Sequence, residues 1–256
     1  MQDLKVTLVQ ANQLWEDKPG NFSNYEKLLK EVDTDLIVLP EMFNTGFSMN
    51  TEQLAENANE SESIRWLQRI AQEKQAAIYT SLIIKDGSQV FNRGVFAEPN
   101  GTLTYYDKRK TFGLAHEDQF FASGTSESIV EYAGWKFQLQ ICYDLRFPEI
   151  SRNHIAPNQL PAYDVLLYVA NWPEKRSMHW KALLSARAIE NQCFVVGVNR
   201  VGKDAKKLVY SGDSQVVDAL GNVTSLVRNK ETTTTIVMKH QDLHQTREKL
   251  PFLKDR

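Results

Sequence analysis

Along the chain, short continuous apolar blocks alternate with segments whose apolar residues recur at helical spacing. The first block, Lys5–Gln10, predicts a strand. Ser23-Asn24-Tyr25-Glu26 has the form of a capping box and predicts a helix from there through Val32. Asp35–Pro40 is a second, mostly apolar strand that ends at Glu41. Ile64, Leu67, Ile70 and Ala71 share one face of a helix over Ile64–Lys74. From Ala77 the pattern becomes consecutive strands: Ala77–Ile84, Val90–Ala97 and Thr102–Asp107. Lys85-Asp86-Gly87 and Pro99-Asn100-Gly101 would turn the chain between them as hairpins.

The second half returns to alternation. Trp135–Ile141 and Val165–Ala170 read as strands, His179–Asn191 as a helix and Cys193–Asn199 as a strand. Ser214–Val217 and Val223–Val227 flank Asp218-Ala219-Leu220-Gly221-Asn222, another hairpin signal, and β-branched Thr232–Met238 is the last strand. The polar tail from His240 fits either a helix or an extended arm. Four of the apolar strands end in residues of chemical interest: Glu41, Cys142, Asn171 and the pair Asn199–Arg200. In α/β sheets, sites gather at the carboxyl ends of strands, so these endings predict one converging site.

Composition narrows the class. The 256 residues are 42% apolar and 24% charged, with no low-complexity tract or Pro/Gly/Ser-rich linker, which predicts one domain over 1–256. A net charge of −2 argues against a general nucleic-acid surface, which would need a basic excess. No apolar run has the length of a membrane span, and Met1-Gln2-Asp3-Leu4-Lys5 leads into a strand rather than a signal peptide. The two cysteines, Cys142 and Cys193, form no CxxC pair and no zinc-ligand spacing. Both fit reduced thiols, Cys193 as an inert core residue, and the expected location is the cytoplasm.

Leu139-Gln140-Ile141-Cys142-Tyr143-Asp144-Leu145-Arg146-Phe147-Pro148-Glu149 holds the strongest signal. A strand delivers Cys142 to a helix-start pattern, a sharp junction like the nucleophile elbow of serine hydrolases. Nearby helix N–H groups would lower the thiol pKa and favour the thiolate. A buried structural cysteine is the commoner case, but the polar cluster after Cys142 argues against it here. Glu41, next to a strand end, is the candidate base, with partial burial raising its pKa. Lys108 and Lys110 would face the same side if the strand through Tyr106 continued. His116-Glu117-Asp118 matches no metal signature, and the five histidines join neither cysteine in a recognisable catalytic pattern. Arg187 and Glu190, one turn apart, suit a structural ion pair.

Leu39-Pro40-Glu41, Tyr106-Asp107-Lys108 and the segment from Cys142 to Glu149 together resemble the Glu–Lys–Cys motifs of the carbon–nitrogen hydrolase, or nitrilase, superfamily. The resemblance extends through Asn171-Trp172-Pro173, Ala186-Arg187-Ala188-Ile189-Glu190-Asn191, Gly197-Val198-Asn199-Arg200-Val201-Gly202 and Ser211-Gly212-Asp213-Ser214, and is greatest to the bacterial omega-amidase branch. It implies an α/β fold, a four-layer α-β-β-α sandwich, assembled as a homodimer and needing no metal, nucleotide or flavin cofactor. It further implies that Cys142 is the nucleophile, Glu41 the general base and Lys108 the oxyanion stabiliser, with the backbone N–H of Tyr143 as second donor. Glu117 aligns with a second glutamate that orients the substrate amide. The implied substrate is the terminal amide of a small 2-oxo dicarboxylic acid monoamide such as 2-oxoglutaramate.

A far carboxylate on such a substrate needs a cation, for which Arg146 and Arg176 are the candidates. Phe43, Phe112, Phe121 and Trp172 are candidate walls. The sequence departs from the superfamily pattern at Lys110 and Thr111, where histidine and leucine are usual, and at His116, where glycine often precedes the second glutamate. These departures, expected near the pocket mouth, bear on the substrate. N-carbamoyl compounds, nitriles and deaminated-peptide amides share the same chemistry, and a non-catalytic metabolite-binding module is the alternative of a different class.

Overall fold

A computed structural model describes residues 2–157, 159–225 and 228–256. In chain order the strands are β1 Leu4–Gln10, β2 Leu36–Val38, β3 Glu56–Asn57, β4 Ala77–Asp86 and β5 Gln89–Ala97. They continue with β6 Leu103–Asp107, β7 Ile129–Tyr132, β8 Trp135–Ile141, β9 Val165–Ala170 and β10 Phe194–Asn199. The rest are β11 Val201–Lys203, β12 Val209–Ser211, β13 Gln215–Val217, β14 Val223–Ser225 and β15 Thr232–Met238. The α-helices are α1 Lys18–Leu29, α2 Thr51–Leu54, α3 Glu62–Lys74, α4 Ser177–Asn191 and α5 His240–Lys249.

One sheet has the order β15-β1-β2-β4-β5-β6, with β3 paired to β4, and the other the order β14-β13-β10-β9-β8-β7. Because side chains alternate across a strand, each sheet has two faces to cover. The inner faces meet each other: Leu8, Val38 and Tyr79 of the first sheet share a core with Phe137, Leu139 and Val196 of the second. On the outer face of the first sheet, Ile37 and Ile78 pack under Tyr25 of α1 and Leu67 of α3. On that of the second, Leu166 and Val195 pack under Trp180 and Leu184 of α4. The result is the expected α-β-β-α sandwich. Gly197 in β10 lets α4 lie close, since a Cβ there would fall 2.5 Å from Leu184 Cδ1.

Topology places the site. β1 and β2 run parallel to each other and β2 to β4, with β5 antiparallel and β6 antiparallel to β5. The carboxyl ends of β2 and β6 therefore point the same way. β8, β9 and β10 are likewise mutually parallel. The Tyr79 hydroxyl donates to the Gln140 carbonyl at 3.0 Å and ties the two sheets together beneath that shared end.

Several local expectations are corrected. α1 begins at Lys18, not at Ser23, because Asp17 accepts from the Gly20 N–H at 3.0 Å. Pro19 then sits in the first turn, where a missing N–H costs nothing. Cys142 is not followed by an α-helix: two short 3₁₀ turns, Cys142–Arg146 and Pro148–Ile150, take its place. The tail from His240 is a helix. The strand expected over Val223–Val227 is described through Ser225; positions 226 and 227, like position 1, lie outside the described residues. β7 and the β11–β12 hairpin had no expectation attached to them.

Candidate active site

Glu41 lies just past β2, Lys108 immediately after β6, and Cys142 immediately after β8. Cys142 has φ +45°, as does Met42, which directly follows Glu41. A left-handed conformation is strained for any residue with a Cβ and persists where surrounding bonds over-determine it. Those bonds are visible. Asp144, fully buried, accepts from the Ile141 N–H at 3.0 Å, the Tyr106 hydroxyl at 2.9 Å and the Lys110 N–H at 2.9 Å. Arg187 donates to the Leu145 carbonyl at 2.7 Å while pairing with Glu190 at 3.0 Å, the expected helix ion pair with an added anchoring role. At Met42, the main-chain N–H donates to Ser81 Oγ at 2.9 Å.

The charged groups converge. Lys108 Nζ lies 3.0 Å from Glu41 Oε1 and 2.9 Å from both carboxylate oxygens of Glu117. All three residues are at most 1% exposed. Asn92 Nδ2 bridges the two carboxylates, at 2.8 Å from Glu41 and 3.3 Å from Glu117. Glu41 Oε2 accepts from the Asn171 N–H at 2.9 Å, and Glu117 Oε2 from the Phe112 N–H at 2.6 Å. The Cys142 thiol donates weakly to the Asn171 carbonyl at 4.0 Å.

These surroundings fix protonation states. Burial would push Lys108 toward losing its proton, but the carboxylates of Glu117 and Glu41 outweigh it and hold the pKa above the ordinary lysine value. Burial, and then the charge of Glu41, push the Cys142 thiol well above the usual cysteine range, with Lys108 opposing. This reverses the expectation of a lowered thiol pKa. The short 3₁₀ turns supply little dipole, while an adjacent carboxylate disfavours a second anion. The thiol rests protonated beside a carboxylate able to accept its proton. Burial also raises Asp144, to about 6, against the downward pull of Lys108 and its three hydrogen bonds.

A pocket opens above this cluster. Its lining includes Lys108, Cys142, Tyr143, Arg146, Trp172 and Arg176, with Phe112 packed on Tyr143 at 4.9 Å between ring centroids. The predicted set thus comes together, with exceptions. Phe43 is fully buried among Phe22, Tyr25 and Trp66, on the outer face of the sheet, so it belongs to the core and not to the pocket. Phe121 packs with Met42, Leu54 and Ile83. β6 stops at Asp107, and Lys110 turns away to stand 4.7 Å over the Phe147 ring and 3.9 Å from Glu149. His116 is exposed, with φ +58°, and joins the turns on either side of it. That left-handed position is where glycine is at ease, so the departure acts on the backbone.

Sequence reasoning missed Asn92, Asp144 and the β11–β12 wall, where Asp204, Lys206, Leu208 and Tyr210 line the pocket. Asn92 carried a signal: an asparagine between Phe91 and Arg93 in a strand, here 1% exposed. Asp144 carried one in its position two residues after the cysteine. The hairpin, short and charged, carried none.

Comparison with known proteins places this arrangement in context. The profile of the carbon-nitrogen hydrolase family matches residues 5–249. The chain is 40% identical to the Omega-amidase YafV of Escherichia coli (strain K12) over 257 residues, covering 100% of this chain and 97% of that protein. It is 33% identical to the 2-oxoglutaramate amidase of Bacillus subtilis (strain 168) over 224 residues, covering 86% and 84%. A crystal structure of XC1258 from Xanthomonas campestris, a CN-hydrolase superfamily protein with an arsenic adduct in its active site, superposes with a TM-score of 0.97 at 40% identity. That match covers 100% of this chain and 98% of that one.

Proposed function

The chain belongs to the carbon–nitrogen hydrolase family, and from that membership we propose that it is a cysteine amidase for the terminal amide of small ω-monoamides of 2-oxo dicarboxylic acids. The observation that carries the residue roles is the contact of Lys108 with both Glu41 and Glu117 at the floor of a pocket that also exposes Cys142.

In this reading the Cys142 sulfur attacks the amide carbonyl while its proton passes to Glu41. The oxyanion forms against Lys108 Nζ and the Tyr143 N–H, and Glu117 orients the amide through the shared lysine. Collapse breaks the C–N bond; the departing nitrogen takes the proton from Glu41 and leaves as ammonia. Water, deprotonated by Glu41, then attacks the thioester, and the thiolate leaves and regains the proton. Keeping the thiol protonated at rest couples sulfur attack to proton transfer. Arg146 and Arg176, which pair with no carboxylate among the described residues, are the two cations in the pocket from which the carboxylate end of the substrate can draw charge. Phe112 and Trp172 wall its carbon chain.

The whole chain is proposed as one domain, since both sheets share the central core. We also propose a cytoplasmic homodimer. Exposed Ile189 of α4 lies against Gly221, which follows exposed Leu220, and these residues offer an apolar surface for pairing. The testing experiment is ammonia release from 2-oxoglutaramate beside N-carbamoyl-β-alanine and a simple nitrile, with Cys142→Ala as blank. Cysteine-dependent release from the oxo-amide alone supports the reading. Turnover confined to either of the others reassigns the pocket.

A further inference from the structure

Arg146 and Arg176 both line the pocket, but the structure holds them differently. Among the described residues, Arg176 has only a ring beneath it, with its guanidinium carbon 5.5 Å from the Phe112 centroid. Arg146 is held from two directions. Its guanidinium carbon lies 4.7 Å over Trp172, and its Nη2 lies 3.3 Å from Nδ1 of His179 in the first turn of α4. The supports are themselves fixed. Trp172 Nε1 donates to the Arg176 carbonyl at 2.8 Å, and the Trp172 N–H donates to Asn199 Oδ1 at 2.8 Å. The main chain under Arg146 is anchored by Arg187 through Leu145.

A guanidinium has only donors, so His179 Nδ1 must present its lone pair to Arg146. In that geometry Nδ1 is the acceptor and the ring N–H sits on Nε2. The choice of partner matters. A carboxylate there would orient Arg146 equally well but neutralise it, whereas a neutral imidazole orients the fork and leaves its full charge for a ligand. A fork already fixed loses less freedom when a carboxylate binds.

We propose that Arg146, rather than Arg176, reads the substrate's carboxylate, and that His179 is the positioning residue that aims it. This rests on the amidase reading above and names the residues that set its preference for an anionic amide. Trp172 serves as the ring over which the guanidinium carbon sits, and the pair His179–Trp172 leaves the remaining N–H groups of Arg146 for the ligand. His179 acts only through Arg146, so its effect must disappear when Arg146 does.

The test is steady-state hydrolysis of 2-oxoglutaramate and of its methyl ester by wild type, Arg146→Ala, His179→Ala, His179→Asn and the double Arg146→Ala/His179→Ala variant. His179→Ala should raise KM for the anionic amide about 3–10-fold, the worth of one hydrogen bond. Asparagine, which offers a neutral acceptor in the place of Nδ1, should restore it. Arg146→Ala should raise KM more, and the double variant should match it. Each change should raise KM for the uncharged ester by a smaller factor than for the anionic amide. Additive effects in the double variant, a loss confined to kcat, or failure of asparagine to rescue would overturn the proposal. Absence of wild-type turnover of 2-oxoglutaramate would instead overturn the amidase reading and this proposal with it.

Discussion

Replacing Lys108 by methionine removes one charge from the centre of the site while keeping an unbranched stem. In the wild type the cluster contains two carboxylates and one ammonium, all at most 1% exposed. Without the ammonium, Asn92 Nδ2 still holds Glu41 and Glu117 close, at 2.8 and 3.3 Å. Two buried carboxylates so near cannot both ionise, so one takes a proton. If Glu41 takes it, the base for Cys142 is gone as well as the oxyanion donor. Loss of one oxyanion donor typically costs about 10²–10³ in kcat, and loss of a general base about 10²–10⁴. Because the groups act as a unit these factors do not multiply. The expected fall in kcat/KM is about 10³-fold, or about 4 kcal/mol of transition-state stabilisation. Breaking a buried ion pair should also lower folding stability by about 3–5 kcal/mol. Ammonia release, with circular dichroism and thermal melts as controls, measures both. Folded Lys108→Met with kcat/KM within tenfold of wild type would refute this reasoning.

Glu41→Gln should lower kcat about 10²–10⁴-fold, because an amide cannot accept the thiol proton. Its NH₂ must also oppose either the Lys108 and Asn92 donors or the Asn171 N–H, so melting should reveal a loss of about 1–3 kcal/mol. Asp144 gives a pH signature. Its folded pKa of about 6 lies above the unfolded value of 3.8, so the native state binds its proton more tightly. Its contribution is neutral below about pH 4, becomes unfavourable as pH rises through the window to 6, and stays so above it, by on the order of 3 kcal/mol. Denaturant titrations of wild type and Asp144→Asn between pH 4 and 7 should therefore differ in pH slope, with wild type losing more stability on the way up. Parallel slopes would contradict the assignment. Turnover by Asp144→Asn should also fall, since its NH₂ faces a donor wherever it points.

How much of this was legible depended on the physics that placed each residue. Trp135–Ile141, Val165–Ala170 and Thr232–Met238 were readable to the residue, because a strand buried on both faces, or rich in β-branched residues, leaves a continuous pattern. The start of α1 was misread because Pro19-Gly20 looks like a turn unless Asp17 is recognised as its cap. Glu41 and Cys142 were legible as strand endings, and these two with Lys108 as motifs. The state of the Cys142 thiol was not, because it depends on burial between the sheets and on a carboxylate 101 positions earlier in the chain. Phe43 illustrates the same limit: adjacency to Glu41 in sequence says nothing about which face of the sheet its ring covers. Asn92 and His179 act through partners on other elements, and no local pattern announces such contacts.

The most direct test of the account is the intact mass of the protein during a single turnover of 2-oxoglutaramate, quenched in acid within milliseconds and followed by peptide mapping. The account predicts a transient acyl adduct on Cys142 that forms as ammonia appears, decays as the acid is released, and is absent from Cys142→Ala. Hydrolysis that proceeds with no adduct at Cys142, or that persists in Cys142→Ala, would contradict it.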